Sequence, residues 1–157
     1  MTTAPVSPLI ERAMHDALQQ AREAALASEV PVGAVVMHTG SGDILARAQN
    51  RMLRDHDGTA HAELLAMREA SRVRGDRSLL DCTLVVTLEP CAMCAGAIVL
   101  ARVGALVFGA WDDKAGMCGS VGDLVRHPRL NHSPAVRGGV CEAECAALLK
   151  EFFAVRR

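Results

Sequence analysis

Residues 87–97 constrain this chain more tightly than any other part of the sequence, because they carry a turn and two cysteines in a short space. The apolar, β-branched run before them predicts a strand, and the Ala-rich run after them predicts a helix. Cys91 and Cys94 then lie in the first turn of that helix, where both thiols can reach one metal ion. The positive dipole end of a helix N-terminus favours the thiolate, which is the form that binds metal.

The segment His61-Ala62-Glu63 supplies what a C-x-x-C pair lacks as a zinc site. Two cysteines give two ligands, and His61 would be the third. The fourth position would stay open for water, and three protein ligands plus water is the pattern of catalytic zinc, whereas structural sites are closed by four ligands. Glu63 would then be placed to carry a proton to and from that water.

Two other uses of the thiols remain open at this point. A C-x-x-C pair alone also fits thioredoxin-like redox chemistry, although a redox pair requires no H-x-E segment. A closed structural zinc site would need a fourth Cys or His, for which Cys82 and Cys118 are available. The combination of H-x-E with P-C-x-x-C is the signature of zinc nucleobase deaminases and favours the catalytic site.

The composition fits one domain with an aliphatic core. The chain has 157 residues, of which 50% are hydrophobic and 3% aromatic, so we expect a single domain over residues 1–157, with residues 1–8 flexible. The net charge of −1 is not that of a protein that coats nucleic acid. Residues 126–157 nevertheless carry six basic and three acidic side chains, which form either a phosphate-contacting surface or an ordinary solvated face.

The N-terminus has no basic segment followed by an apolar core, so no secretory signal is expected. No apolar run approaches the roughly 20 residues of a membrane span, and no membrane partner is expected. Six cysteines in a chain of this kind favour reduced thiols over a disulfide framework. These features together predict a cytoplasmic protein.

Hydrophobic periodicity predicts helices alternating with strands along the chain. Strand–helix–strand units imply that the later strands pair in parallel, with helices on both faces of the sheet. Thr59 or Ala60 is expected to cap the helix that carries His61 and Glu63. The predicted elements are a helix over 8–28, a hairpin of 31–37 and 43–48, a helix from about 60, a strand over 83–88, a helix over 91–101, a strand over 104–109, a short helix over 121–126, a strand over 135–140 and a helix over 142–155.

From about residue 9 to residue 157, the sequence resembles the bacterial tRNA-specific adenosine deaminases of the cytidine-deaminase-like superfamily. The resemblance is carried by segments 29–35, 59–63, 87–97, 107–110, 131–132 and 144–149. It implies an α/β fold with three α/β/α layers and a five-stranded mixed sheet, one zinc ion per subunit and a homodimer. It also implies hydrolytic deamination of the wobble adenosine to inosine, with the tRNA anticodon stem-loop as partner.

The resemblance further implies roles for individual residues. Glu63 would be the catalytic proton carrier. The position of Glu89 before the turn favours a structural role for it, with proton transfer by Glu89 as the alternative. Asn50 would contact the base, although a loop asparagine also often bonds its own backbone. The remaining residues are the metal ligands His61, Cys91 and Cys94, the substrate-binding residues Asp112, Val32, Ala62 and Leu88, and the RNA-binding residues Lys150, Phe152, Arg156 and Arg157.

Two alternative functions are compatible with the zinc motif. One is deamination of a free nucleobase or nucleoside of the guanine or cytosine type, because the motif does not distinguish substrates within the superfamily. The other is a non-catalytic zinc-binding or RNA-editing accessory subunit, against which Glu63 argues, since a structural site has no use for a proton carrier. One difference from the resembled family is Trp111, which stands where a basic residue is usual.

Overall fold

A serine and a proline fix the start of the first helix, α1 (Pro8–Leu26). The computed structural model describes residues 4–156, so Arg157 and the first three residues of the predicted flexible segment lie outside the described part. The Ser7 hydroxyl accepts a hydrogen bond from the Ile10 amide at 3.2 Å, and Pro8 follows it at the first helical position. Both features stabilise a helix N-terminus, and the helix begins where the sequence predicts.

Five strands form one mixed sheet in the order β2-β1-β3-β4-β5. The hairpin strand β1 pairs antiparallel with both β2 and β3, whereas β3, β4 and β5 are parallel to one another. This confirms the five-stranded mixed sheet and the parallel pairing of the later strands. The strands are β1 (Gly33–His38), β2 (Ile44–Gln49), β3 (Cys82–Leu88), β4 (Ala105–Ala110) and β5 (Ala135–Arg137).

Helices cover both faces of the sheet and complete the three predicted layers. Helix α1 and helix α4 (Glu142–Val155) pack on the face that includes Val35, Val85 and Val107. Helix α2 (Ala62–Arg74) and helix α3 (Ala92–Leu100) pack on the opposite face. Successive strand side chains point to opposite faces, so β-branched and aliphatic residues on both sides give the buried strands a nearly continuous apolar sequence.

The cap of α2 differs from the prediction. His61 itself is the N-cap, with an extended backbone, and the helix begins at Ala62. The Thr59 hydroxyl donates a hydrogen bond to the Asp57 carboxylate at 2.7 Å and does not cap the helix. Asn50 instead accepts a hydrogen bond from the Ala62 amide at 2.9 Å, so a residue from outside the helix satisfies its first free N–H group.

The short helix predicted over residues 121–126 is wrong. This segment forms turns and an isolated bridge between Cys118 and Asp123. The amides of Val121 and Leu124 donate to the carbonyls of Gly116 and Met117, which are not the i−4 partners that an α-helix requires. No helix in the described range 4–156 is both long enough and apolar enough to cross a membrane.

Candidate active site

Two helix N-termini meet at the group formed by His61, Cys91 and Cys94. His61 and Cys91 are the N-caps of α2 and α3, and Cys94 is the third residue of α3. Neither cap residue uses its side chain to cap its own helix, so the imidazole and the thiol are free for other contacts. His61 Nδ1 lies 3.6 Å from the sulfur of Cys91 and 3.6 Å from the sulfur of Cys94.

These separations fit a single zinc ion. Tetrahedral zinc with a Zn–S distance of about 2.3 Å and a Zn–N distance of about 2.0–2.1 Å sets its nitrogen and sulfur ligands about 3.6 Å apart. All three donor atoms lie within 4.8 Å of one another, and two sulfurs with one imidazole is a zinc-type donor set. The group holds three side chains within the described residues, so neither Cys82 nor Cys118 closes it as a fourth ligand.

Contacts within the group also favour a metal-binding thiolate. Hydrogen bonding with Cys94 and His61 lowers the pKa of Cys91 to about 3. The same contact with Cys91, together with burial, raises the pKa of Cys94. The hydrogen bond with Cys91 also raises the pKa of His61. A bound cation would replace the shared protons of the two thiols, since the thiolate is the ligand form.

Glu63 lies on the first turn of α2 with its carboxyl group buried beside the three donor residues. Only 4% of the residue is exposed. Burial raises the pKa of Glu63 because a charged carboxylate is poorly solvated there. A carboxyl group with a raised pKa is suited to accept a proton and to return it.

A cavity of about 170 Å³ connects these groups with the predicted substrate-binding residues. Val32, Asn50, Leu88 and Asp112 line it, whereas Ala62 is fully buried and is not among the lining residues. Residues of the β1 end, the 50–60 loop, the start of α2, the turn after β3 and the 111–122 segment all contribute. The lining consists of Val30, Val32, Asn50, Met52, His61, Glu63, Leu88, Glu89, Cys91, Asp112 and Ala115.

The Asn50 side chain makes two structural hydrogen bonds and still has a donor and an acceptor to spare. Its Nδ2 donates to the Val30 carbonyl at 3.1 Å, and its Oδ1 accepts from the Ala62 amide at 2.9 Å. An amide side chain has two N–H donors and two carbonyl lone pairs, so one of each remains. Asn50 therefore joins the β1 end to α2 and keeps hydrogen-bonding capacity at the cavity.

Three apolar residues of the lining, Val30, Met52 and Ala115, are not among the site residues predicted from the sequence. The available signal for Met52 was its position in the polar loop that leads into the site. Val30 directly precedes the predicted first strand, and Ala115 follows Asp112 by three residues in the long 111–122 segment. Nothing in their residue types marks them, because an apolar side chain in a loop also serves ordinary packing.

The C-terminal residues border the site without entering this cavity. Phe152 is 8% exposed and Phe153 is 47% exposed, so the helix buries the first and leaves the second accessible. The Arg156 guanidinium lies 3.5 Å from the centre of the Phe152 ring, in a cation–π arrangement. Both residues line a neighbouring cavity of about 590 Å³, which shares Val30 and Met52 with the site. Lys150 is exposed on α4.

Residues 8–110 match the cytidine and deoxycytidylate deaminase zinc-binding region, which spans all the elements that carry the metal-type donors. The chain belongs to this family, and its cofactor is zinc.

Curated relatives include a tRNA-specific adenosine deaminase of Bacillus subtilis, 45% identical over 140 residues, or 89% of this chain and 86% of the relative. A tRNA(Ile)-lysidine synthase of Deinococcus radiodurans is 50% identical over 154 residues, or 98% of this chain and 26% of that protein. The chain thus spans about a quarter of the length of the Deinococcus relatives that it matches.

Solved structures give the same fold. One, from a study of A-to-I editing by tRNA:A34 deaminases at the wobble position of transfer RNA, superposes with a TM-score of 0.84 at 41% identity, covering 88% of this chain and 99% of the other. A guanine deaminase from Nitrosomonas europaea has a TM-score of 0.82 at 27% identity, covering 97% of this chain and 87% of the other.

Proposed function

We propose that this chain catalyses the hydrolytic deamination of adenosine to inosine at the wobble position of tRNA anticodons. The observation that carries the proposal is the convergence of two thiols, one imidazole and a buried carboxyl group on one cavity of about 170 Å³. One relative, at 45% identity, is a tRNA-specific adenosine deaminase, and one solved structure, at 41% identity, comes from a study of tRNA:A34 deaminases, whereas the guanine deaminase is 27% identical.

His61, Cys91 and Cys94 would hold the zinc ion, one per subunit, because their donor atoms have the separations that zinc requires. When bound, zinc lowers the pKa of water and thereby supplies a hydroxide nucleophile near neutral pH. Both N-cap positions place these ligands at the positive ends of helix dipoles, which further stabilises the two thiolates.

Glu63 would carry the proton between the attacking water and the base. Its carboxylate accepts the proton that the water loses as the oxygen bonds to C6 of adenine, and delivers it to N1. Glu63 then transfers the proton of the new C6 hydroxyl to the amino nitrogen as the C6–N bond breaks, so that ammonia leaves and the C6 carbonyl of inosine remains. Burial of Glu63 supports this role, since it makes the neutral and the charged carboxyl closer in free energy.

The target nucleotide would be held by the cavity lining. Val32 and Leu88 supply apolar contact with the base, and the remaining amide donor and acceptor of Asn50 suit a purine edge. Asp112 lies at the rim, where its Oδ1 already accepts from the amides of Lys114 and Ala115 at 3.0 and 3.1 Å. Ala62 would act only indirectly, through the hydrogen bond that its backbone amide donates to the Asn50 side chain.

The anticodon stem-loop would extend over the adjoining C-terminal surface. Lys150 and Arg156 are exposed there and can contact phosphates, while Phe152 supports Arg156 from beneath. Phe153, at 47% exposed, is the aromatic side chain available for stacking on a base. Arg157 would add a further charge, although it lies outside the described residues.

We also propose a homodimer in the cytoplasm. Between α2 and α3 the surface has an apolar cavity of about 420 Å³, lined in part by Leu64, Met67 and Ala97. Leu100 beside it is 86% exposed, and a second copy of the chain would cover such a surface. All six cysteines are free thiols, as expected for a protein in a reducing compartment.

An ammonia-release assay with purified protein tests the proposed activity against its alternative. The panel contains a tRNA with adenosine at the wobble position, its anticodon stem-loop, free adenine, guanine and cytosine, and the matching nucleosides. We expect ammonia from the tRNA and the stem-loop only. Release from guanine or cytosine without release from the RNAs would instead support a free-base deaminase, which the likeness to the guanine deaminase favours.

A further inference from the structure

We propose that Glu29 and Glu89 are positioning residues, each of which holds one wall of the active-site cavity in place through hydrogen bonds to loop backbone. Both are almost completely buried, at 1% and 2% exposed, and neither is a member of the metal-type donor group. Burying a carboxylate costs free energy unless several hydrogen-bond donors compensate it. The donors that surround Glu29 and Glu89 therefore indicate what each carboxylate does.

Glu89 organises the segment 111–122, which carries Asp112 and Ala115 into the cavity. Its two carboxylate oxygens accept hydrogen bonds from the amides of Asp112, Cys118 and Ser120, each at 3.0 Å. The Ser120 hydroxyl donates to the same carboxylate. The segment has no helix or strand of its own, so these four bonds to one side chain largely determine its path.

Gly116 shows how closely this segment wraps around the carboxylate. A Cβ added to Gly116 would overlap the Glu89 carboxylate group. The Gly116 amide bonds to the Asp112 carbonyl at 2.9 Å, which closes a turn around the carboxyl group. The turn therefore lies directly on Glu89, and any movement of this side chain would displace Asp112 and Ala115 together.

Glu29 plays the same part for the loop on the opposite side of the cavity. Its Oε1 accepts from the Leu53 amide at 3.0 Å, and its Oε2 accepts from the Arg54 amide at 3.0 Å. The Arg54 side chain also donates to Oε2 at 3.2 Å and to the Asn50 carbonyl at 2.8 Å. These bonds hold the loop in place, and the loop in turn places Asn50 and Met52 in the cavity lining.

The partners of both carboxylates are donors, which makes charge and shape distinguishable by substitution. Glutamine has nearly the shape of glutamate, but one of its oxygens is replaced by an NH₂ donor. That group would face backbone N–H donors at either position and leave at least one buried donor unsatisfied. Glu→Gln therefore tests the hydrogen bonding of each wall without creating a cavity.

Amide hydrogen exchange on the full chain with zinc bound tests the assignment. We expect Glu89→Gln to accelerate exchange at least about tenfold over residues 112–120 and not over 51–57. Glu29→Gln should do the reverse. Glu11→Gln is the matched control, because it makes the same change at an exposed residue of α1, across the sheet from the site, and should alter neither segment.

A kinetic arm of the experiment rests on the proposed function. Both variants should lower kcat/KM for the anticodon stem-loop at least about tenfold, because a displaced cavity wall no longer orients the substrate for reaction. The zinc content should stay unchanged, because neither residue is a zinc ligand. If wild-type protein does not deaminate the stem-loop, the proposed function fails, and the exchange pattern still decides the positioning roles.

Two results would overturn the proposal. One is unchanged exchange in both Glu→Gln variants, and the other is a uniform increase throughout the chain, which would indicate a role in global stability alone. If Glu89→Gln does not fold, Ser120→Ala decides the question for that wall. It removes one donor without adding another, and should produce a smaller increase confined to residues 112–120.

Discussion

At the scale of single residues, the N-cap positions of His61 and Cys91 explain how a metal site arises from two helices. A cap residue has an extended backbone and lies at the point where the free N–H groups of a helix converge. Two such ends brought together by one sheet edge place an imidazole and a thiol at 3.6 Å without any unusual backbone. Cys94, three residues further along α3, completes the group from the same helix end.

Removing one donor should remove the metal. We expect Cys94→Ala, and equally Cys91→Ala or His61→Ala, to lose zinc and deaminase activity together, because two remaining ligands are too few for a catalytic ion. Metal analysis of the purified variants measures this directly. Stoichiometric zinc and full turnover in Cys94→Ala would show that the metal is held elsewhere.

Glu63→Gln should separate proton transfer from metal binding. Glutamine keeps the shape of the side chain but cannot carry a proton, so we expect unchanged zinc content and a loss of activity of about 10²–10⁴-fold or more. Single-turnover kinetics on the anticodon stem-loop gives the rate, with metal analysis as the control. Activity within tenfold of wild type would assign the proton transfer to another group.

At the scale of elements, the sequence correctly predicted those helices and strands that depend on contacts between residues close together in the chain. The hairpin, α1 and α4 follow from periodicity and caps, and α4 spans Glu142–Val155 as predicted. The helix predicted over 121–126 was wrong because the amides of Val121 and Leu124 bond to the carbonyls of Gly116 and Met117, which are not the i−4 partners of an α-helix. The α2 cap was predicted wrongly because Asn50, twelve residues before Ala62, supplies a contact that no local pattern contains.

The site shows the same division. Its metal-type donors lie in short motifs whose spacing carries chemical meaning, and the sequence identifies them. The apolar lining residues Val30, Met52 and Ala115 cannot be recognised from a sequence motif, because only the folding of the surrounding loops brings them to the cavity. Those loops are fixed by the buried carboxylates of Glu29 and Glu89, whose partners cannot be read from sequence spacing.

The contact between α1 and β1 gives a test of packing at this scale. At Gly33, an added Cβ would overlap the Ala17 carbonyl oxygen and lie 2.6 Å from the Ala21 amide nitrogen. Gly33→Ala should therefore destabilise the fold by about 1–3 kcal/mol or more, since backbone atoms must move. Urea unfolding measures the change in free energy.

Gly58→Ala is the control for that substitution. No atom lies within 4 Å of the position that its Cβ would occupy, so the same change should be neutral or slightly stabilising. Equal stability of the two variants would mean that α1 and β1 are packed less closely than the structure indicates.

At the scale of the whole molecule, the net charge of −1 has to be reconciled with the polyanionic substrate that we propose. A broad basic surface is absent from this composition, so binding has to depend on a few phosphate contacts and on the shape of the loop. A single-stranded anticodon loop suits such binding, because its bases are already partly unstacked and extrusion of the target costs little.

Truncation tests where those phosphate contacts lie. For the full chain we expect a modest salt dependence of tRNA binding, equivalent to about two to four phosphate contacts. Deletion of residues 152–157 should weaken tRNA binding and reduce the salt slope, while zinc content stays the same. Binding titrations across a range of salt concentrations measure both quantities. Unchanged affinity and salt slope would assign the phosphate contacts to the loop around Trp111 and Lys114.

Sequencing of treated tRNA tests the central claim most directly. A tRNA with adenosine at the wobble position is incubated with the zinc-loaded protein, reverse-transcribed and sequenced, and Glu63→Gln serves as the inactive control. Inosine pairs as guanosine, so we predict an A-to-G change at the wobble position alone, absent with Glu63→Gln. An unchanged wobble adenosine, in a preparation that releases ammonia from free guanine or cytosine, would contradict the assignment of tRNA as substrate.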